Sequence, residues 1–291
     1  MSATAPPRAS SVRVLRYFAA TRGVEVGVLQ ASPLLGAWLA GIDLAADWGH
    51  LALLLIGSTA LTAHVFVLND WAGYGSDVSD GRRDASAAHG IARAQIGSLA
   101  LALLAVAAAV LALVSLPALL LGAGIAALSS AYSLSPRFGK STPVWASLNH
   151  LLGGALHFLM GYTLVDPLDA RGVALSFFFA FVFAAGHLNQ EIRDYESDRA
   201  GGIRTTAVVY GCRPAFAASF CLFTAAYALV VVLAAAGLLP SVLLLAGVAW
   251  LLQAAWSLQA LRRGLGMETA LWMQRRFRLL FALVGLAMLV R

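Results

Sequence analysis

The sequence predicts an all-α membrane protein, a polytopic bundle of about nine transmembrane helices around a central cleft. Three observations carry that expectation. The 291 residues are 60% hydrophobic and only 12% charged, with a mean hydropathy of +0.80, where a soluble domain carries roughly 25% charged residues. The apolar runs reach the length of about 20 residues that a helix needs to cross a bilayer. They are continuous and rich in Leu and Ala, without the strict alternation of a membrane β-barrel.

The expected spans are 24–43, 50–70, 96–115, 117–134, 144–164, 172–192, 214–237, 239–260 and 272–290. The first is the least regular, because Gly, Ser32-Pro33 and Asp43 interrupt it. Pro117, Pro136, Pro143, Pro167, Pro214 and Pro240 fall at or near span ends, where a chain break does least harm. Residues 1–23 hold Arg8, Arg13, Arg16 and Arg22 but no apolar core. They read as a cytoplasmic N-terminal tail and not as a cleavable signal peptide. No loop is long enough for a second soluble domain, so residues 1–291 form one transmembrane domain.

The basic residues set the orientation. With the N-terminus in the cytoplasm, eighteen of the twenty Lys and Arg fall on the cytoplasmic side, and only Arg171 and Arg291 on the other. The expected location is a bacterial inner membrane, and that asymmetry follows the positive-inside rule and supports an odd number of spans. It also accounts for the net charge of +6 without any nucleic-acid partner. Cys212 and Cys221 have neither metal-ligand spacing nor a disulfide framework.

Against this apolar background the carboxylates are concentrated. Eight of the fourteen Asp and Glu lie in two segments that each close an apolar run. One contains Asp70, Asp77, Asp80 and Asp84, and the other Glu191, Asp194, Glu196 and Asp198. Charges at membrane depth are costly and need a partner. On a helix Glu191, Asp194 and Asp198 are spaced i, i+3, i+7 and share a face. Three carboxylates so placed repel unless a cation intervenes, and oxygen-only ligands suit Mg²⁺ or Ca²⁺. Arg193, Arg199 and Arg204 are at hand for phosphate oxygens. The alternative on spacing alone is a solvated helix end with intrahelical Arg–Asp pairs.

The run from Glu191 through Asp194 and Asp198 to Gly202, Arg204, Thr205 and Gly211 resembles the second aspartate-rich motif of the UbiA superfamily of intramembrane prenyltransferases. The first motif of that family has the form N-D-x-x-D-x-x-x-D. Here Asn69, Asp70 and Asp77 match it, while Gly73 stands in the middle aspartate position and the usual Arg-Pro further on is missing. A second register, Asp77–Asp80–Asp84, restores the spacing but loses the leading Asn. Tyr132-Ser133 through Pro136 to Lys140, the only lysine, is similar to the family's Y-S-x-x-P-x-x-x-K segment. The resemblance reaches from the second span to the loop after the sixth.

It implies Mg²⁺ as cofactor, held by Asn69, Asp70, Asp77, Glu191, Asp194 and Asp198, with Asp70, Asp194 and Asp198 catalytic. It implies a prenyl diphosphate donor contacted by Tyr132, Lys140, Arg193, Arg204 and Arg82, with Arg83 beside it. The acceptor is then small and aromatic, as in quinone or prenyl-lipid biosynthesis. Intramembrane terpene cyclisation and transfer to a non-aromatic acceptor use the same donor, and a non-catalytic lipid-binding or transport protein is the reading from another class. Asn149, His157 and His187 are expected to line an acceptor pocket or to hydrogen-bond between helices, as are His64 and His150. The aromatic residues around Phe177–Phe183 are expected to shield a polyprenyl chain or to pack against lipid.

Overall fold

Gln30 divides the first apolar run in two. The computed structural model describes residues 10–79 and 86–290, leaving aside the side chains of 76–79. α1 (Ser11–Leu29) starts where the Ser10 side chain accepts from Arg13 N, and α2 (Ala31–Leu39) follows Gln30 directly. The stretch expected as a tail is therefore helical from Ser11 on. Its face of Val14, Phe18 and Val26 is buried, and Val14 and Phe18 pack with Val67, Ile91, Ile96 and Ala100.

α3 (Leu44–Ser79) runs unbroken through the first acidic segment. Gly73 and Gly75 do not stop it, since a helical glycine costs only about 1 kcal/mol and the apolar turns before it pack along α4. α4 (Arg93–Val114) and α5 (Leu116–Leu134) are separated by Ser115 alone. Its extended backbone turns the chain, and its hydroxyl accepts from Ala118 N at 3.1 Å. α6 (Trp145–Tyr162) and α7 (Ala170–Arg193) form the middle of the bundle, followed by the short α8 (Tyr195–Ala200) and α9 (Thr206–Tyr210). α10 (Cys212–Ala235), α11 (Ala246–Arg263) and α12 (Met267–Ala287) complete the chain. Asp169 starts α7 by accepting from Gly172 N at 2.7 Å and from the Tyr162 hydroxyl at 3.0 Å. The Gly172 bond is the main reason its carboxyl stays below the usual carboxylate range.

Among the described residues six helices are long and apolar enough to cross a membrane: 44–75, 93–114, 116–134, 170–193, 212–235 and 241–263. The expected nine are not recovered by that measure, and the three missing ones have visible causes. The first run is split at Gln30, α6 carries Asn149, His150 and His157, and α12 carries Glu268, Arg275, Arg276 and Arg278.

α2 lies against α6 with almost no side chain between them. A Cβ on Gly161 would sit 1.8 Å from the Pro33 carbonyl oxygen, and one on Gly36 would sit 2.3 Å from the Phe158 carbonyl oxygen. Small residues that let backbones approach are how helices associate in lipid, where no hydrophobic force separates them from solvent. α6 and α7 enclose an aromatic core in which Phe158 stacks on Phe179 at 4.7 Å. Interhelical hydrogen bonds add to this packing. Gln30 Nε2 donates to Thr62 Oγ1 at 3.0 Å, and Ser58 Oγ lies 2.8 Å from His157 Nε2.

Candidate active site

The second acidic segment does not continue as one helical face. α7 ends at Arg193, Asp194 takes a turn conformation (φ −93°, ψ 5°), and the chain re-enters helix at Tyr195. Glu191 points into the protein and is only 3% exposed. It accepts from Ala207 N at 3.1 Å and from Thr206 Oγ1 at 3.5 Å, and His187 Nε2 lies 3.0 Å from its Oε1. A buried carboxylate is tolerable when donors such as Ala207 N and the Thr206 hydroxyl meet it. Glu191 thus ties α7 to α9. Thr206 carries the link on, because Val144 N donates to its Oγ1 at 3.3 Å.

Val144 has φ +68° and ψ −47°, and Trp145 N donates to Pro143 O across it at 2.8 Å. This is the rare γ-turn with positive φ, an unfavourable shape for a β-branched residue. It is held where the loop before α6 meets the loop after α7. Glu191→Gln keeps an oxygen for Ala207 and Thr206 and is expected to cost no more than about 1 kcal/mol, whereas Glu191→Ala is expected to cost about 3 kcal/mol. Thermal unfolding of the two variants in detergent checks the difference.

Asp194 carries a two-pronged ion pair from its neighbour, with Arg193 Nε to Oδ1 at 2.8 Å and an Arg193 terminal nitrogen to Oδ2 at 2.6 Å. The pair joins the last residue of α7 to the turn residue that follows it. Asp70 on α3 is gripped in the same way by Arg22 of α1, whose Nε donates to Oδ2 at 3.2 Å and whose terminal nitrogen contacts Oδ1. Arg193 feels the charges of both Arg22 and Glu25, so the two pairs face one space. The Tyr132 hydroxyl in turn feels Glu191, Asp198 and Asp194. Helices α1, α3, α5 and α7 thus bring the two acidic segments together at one end of the bundle.

The loop after α5 is built locally. Ser135 Oγ accepts from Arg137 N and Phe138 N, and Lys140 N donates to Tyr132 O at 3.0 Å. Gly139 lets the turn close, since a Cβ there would lie 2.2 Å from the Ser135 carbonyl oxygen. The half-buried Lys140 makes no ion pair among the described residues. Beyond α8, Gly202 at φ +69° turns the chain, Arg204 is exposed, and Thr205 caps α9 by accepting from Val208 N.

The polar residues of the spans divide into two kinds. Asn149 Nδ2 donates to Leu128 O at 2.8 Å, and His64 Nδ1 pairs with Ala100 O at 2.8 Å. With Ser58–His157, these are helix-to-helix bonds. His150 and His187 instead stack at 3.8 Å, with Tyr132 edge-on to His150 at 5.1 Å, beside the acidic segment.

Among the described residues no three His, Cys, Asp or Glu side chains are gathered closely enough to hold a metal ion. What remains for a hard cation is an oxygen-rich rim. The Asn69 Oδ1, next to Asp70, is buried without a hydrogen-bond partner among the described residues, and Arg22 on Asp70 lies within range of the charge of Arg193 on Asp194. That donor chemistry fits Mg²⁺, which prefers oxygen ligands and keeps positions for waters and phosphate. The Asp77 side chain and Arg82, Arg83, Asp80 and Asp84 lie outside the described residues. Sequence reasoning missed Arg22, because a segment read as a tail gives no reason to place it beside Asp70.

The fold and this end of the bundle define a polytopic all-α integral membrane protein with paired acidic segments at one face. The chain matches the profile of the UbiA prenyltransferase family over residues 31–287, and it belongs to that family. Its fold is similar to that of a UbiA homolog from Archaeoglobus fulgidus solved with GPP and Mg²⁺. That likeness has TM-score 0.71 and 19% identity, and it covers 96% of this chain and 99% of the other. Similar too are a digeranylgeranylglyceryl phosphate synthase, with TM-score 0.71, 16% identity and coverage of 94% and 97%, and the apo UbiA homolog from Aeropyrum pernix K1, with TM-score 0.63, 19% identity and coverage of 90% and 96%. No curated protein matches this chain.

Proposed function

We propose that this chain moves a prenyl group from an allylic prenyl diphosphate to a small aromatic acceptor, with Mg²⁺ as cofactor, in quinone or prenyl-lipid type biosynthesis. The observation that carries the reading is the meeting of Asp70 and Asp194, each held by an arginine, at one end of a UbiA-family bundle. The Archaeoglobus fulgidus homolog, which binds GPP or DMAPP together with Mg²⁺, supports the donor and the metal. The site lies at the cytoplasmic face of a bacterial inner membrane, on the side favoured by the arginines.

Asn69, Asp70, Asp194 and Asp198 would hold the metal. When bound, Mg²⁺ supplies Lewis-acid stabilisation of the departing diphosphate. Arg22 and Arg193 now neutralise Asp70 and Asp194. Once those carboxylate oxygens are taken, both guanidinium forks are free to turn onto phosphate oxygens, which they match bidentately. Lys140 and Arg204 add charge, and the Tyr132 hydroxyl is placed to donate. These groups act where charge develops as the C–O bond of the donor breaks and its electron pair leaves with the diphosphate. A ring carbon of the acceptor then bonds to the allylic carbon, and the proton it loses passes to diphosphate or solvent. The stacked His150 and His187 with Tyr132 form an aromatic wall suited to a flat acceptor and to a cationic transition state. Burial among the helices limits quenching by water.

Membranes containing the chain, fed a labelled prenyl diphosphate, Mg²⁺ and a panel of phenolic acceptors, are expected to yield a C-prenylated product by mass spectrometry. Chelation with EDTA is expected to reduce that yield to background. A cyclised hydrocarbon, or prenyl transfer to a glycerol phosphate alone, would overturn the aromatic acceptor while leaving the donor site in place.

A further inference from the structure

The end of the bundle that carries Asp194 also carries arginines that prenyl chemistry does not use. Arg262 and Arg263 end α11, and Arg275, Arg276 and Arg278 lie midway along α12, with Glu268 the only acid between Arg262 and Arg278. Arg213 joins them from the first turn of α10. Among the described residues none of the six makes an ion pair with a carboxylate.

They are organised, not merely numerous. Two guanidinium groups lie over the Trp272 ring, Arg263 at 4.5 Å and Arg276 at 3.8 Å from its centre, and Arg276 also reaches Trp256 at 5.5 Å. Stacking on an indole fixes a guanidinium while leaving most of its in-plane N–H donors for an anion. Beside this cluster opens a pocket of about 450 Å³ between Tyr195, Gly211, Cys212, Arg213 and Pro214 on one side and Leu261, Gly264 and Leu265 on the other. Tyr195 places it next to Asp194.

Leu258, Leu261, Met267 and Leu279 are exposed around the same corner. Arg262 and Arg263 end a membrane-capable segment, which sets these two at headgroup depth, with the Arg276 side chain reaching toward them over Trp272. Unpaired cations above exposed aliphatic side chains match a ligand that is anionic at one end and apolar at the other. A nucleic acid or a soluble phosphate would have no use for the aliphatic part.

We propose that this α10–α11–α12 corner binds the phosphate headgroup of an anionic phospholipid, with Arg213, Arg263 and Arg276 on the phosphate and the acyl chains along Leu258 and Leu279. A basic side chain near an anionic lipid surface contributes about fivefold in affinity, so removing two lowers it by roughly 30-fold. The test uses the purified full chain in detergent, titrated with phosphatidylglycerol, phosphatidylcholine or inorganic phosphate and read by native mass spectrometry for retained lipid and by thermal shift.

The expected result is retention of phosphatidylglycerol over phosphatidylcholine, with a thermal shift that phosphate does not reproduce. The Arg263→Gln/Arg276→Gln pair should lose that selectivity while unfolding at the wild-type temperature in phosphatidylcholine. Should that pair fail to fold, the exposed Arg213→Gln must lower the same selectivity. Equal retention of the two lipids, undiminished selectivity in a folded variant, or an equal effect from inorganic phosphate overturns the proposal.

Discussion

Replacing Asp194 with Ala is expected to abolish prenyl transfer while leaving the protein folded and inserted in the membrane. The separation of the two effects follows from the surroundings of the side chain. Its partner is the adjacent Arg193, and both are partly exposed, so the pair contributes little to stability. In the proposed reaction the same carboxylate is a metal ligand and acts where charge develops, and losing one such group costs about 10²–10³-fold in turnover. Asp198→Ala is expected to behave in the same way. Initial rates with a labelled prenyl diphosphate, normalised to folded protein by size-exclusion chromatography, measure both. Full activity in the two variants would remove the second acidic segment from the mechanism.

Gly161→Ala is expected to have the largest effect on the fold. The added methyl would meet the Pro33 carbonyl oxygen at 1.8 Å, with Pro33 C and Cα at 2.5 and 2.6 Å. All three are backbone atoms and cannot rotate away, so α2 must move off α6. That movement also opens the reciprocal contact at Gly36, and overpacking of this kind costs about 3 kcal/mol or more. Gly153 is on the same helix, and a methyl group added there would have nothing within 4 Å. Gly153→Ala is therefore expected to be neutral or to gain up to about 1 kcal/mol from helix propensity. Unfolding temperatures of the two variants in one detergent give the comparison.

Composition was enough to read the helical membrane class, because long apolar runs have few other physical outcomes. Most helix positions could also be read, since Pro, Gly and charge mark their ends. Ser32-Pro33 marked the first run as irregular, but did not show that the chain divides at Gln30 into two helices. The acidic segments stood out because charge is scarce in this chain. Their internal arrangement was less legible. The i, i+3, i+7 rule assumed one helix through Asp198, but α7 ends at Arg193 and Glu191 is drawn to Ala207 and Thr206. Both partners lie in a segment whose return toward α7 is a tertiary fact. Arg22 was hidden for the same reason, since its role depends on α1 folding back along α3. Asn149 and His157 each make an interhelical hydrogen bond, one of the two roles expected of them.

The central claim is that the end of the bundle carrying Asp70 and Asp194 activates a prenyl diphosphate in a metal-dependent step. Diphosphate release by the purified chain in lipid nanodiscs, followed with a labelled prenyl diphosphate and an acceptor across a Mg²⁺ titration, tests it most directly. The account predicts release that rises with Mg²⁺, stops with EDTA and is absent in Asp194→Ala. Donor binding that is independent of Mg²⁺ and is never followed by diphosphate release would contradict it and point to a lipid-binding or transport protein.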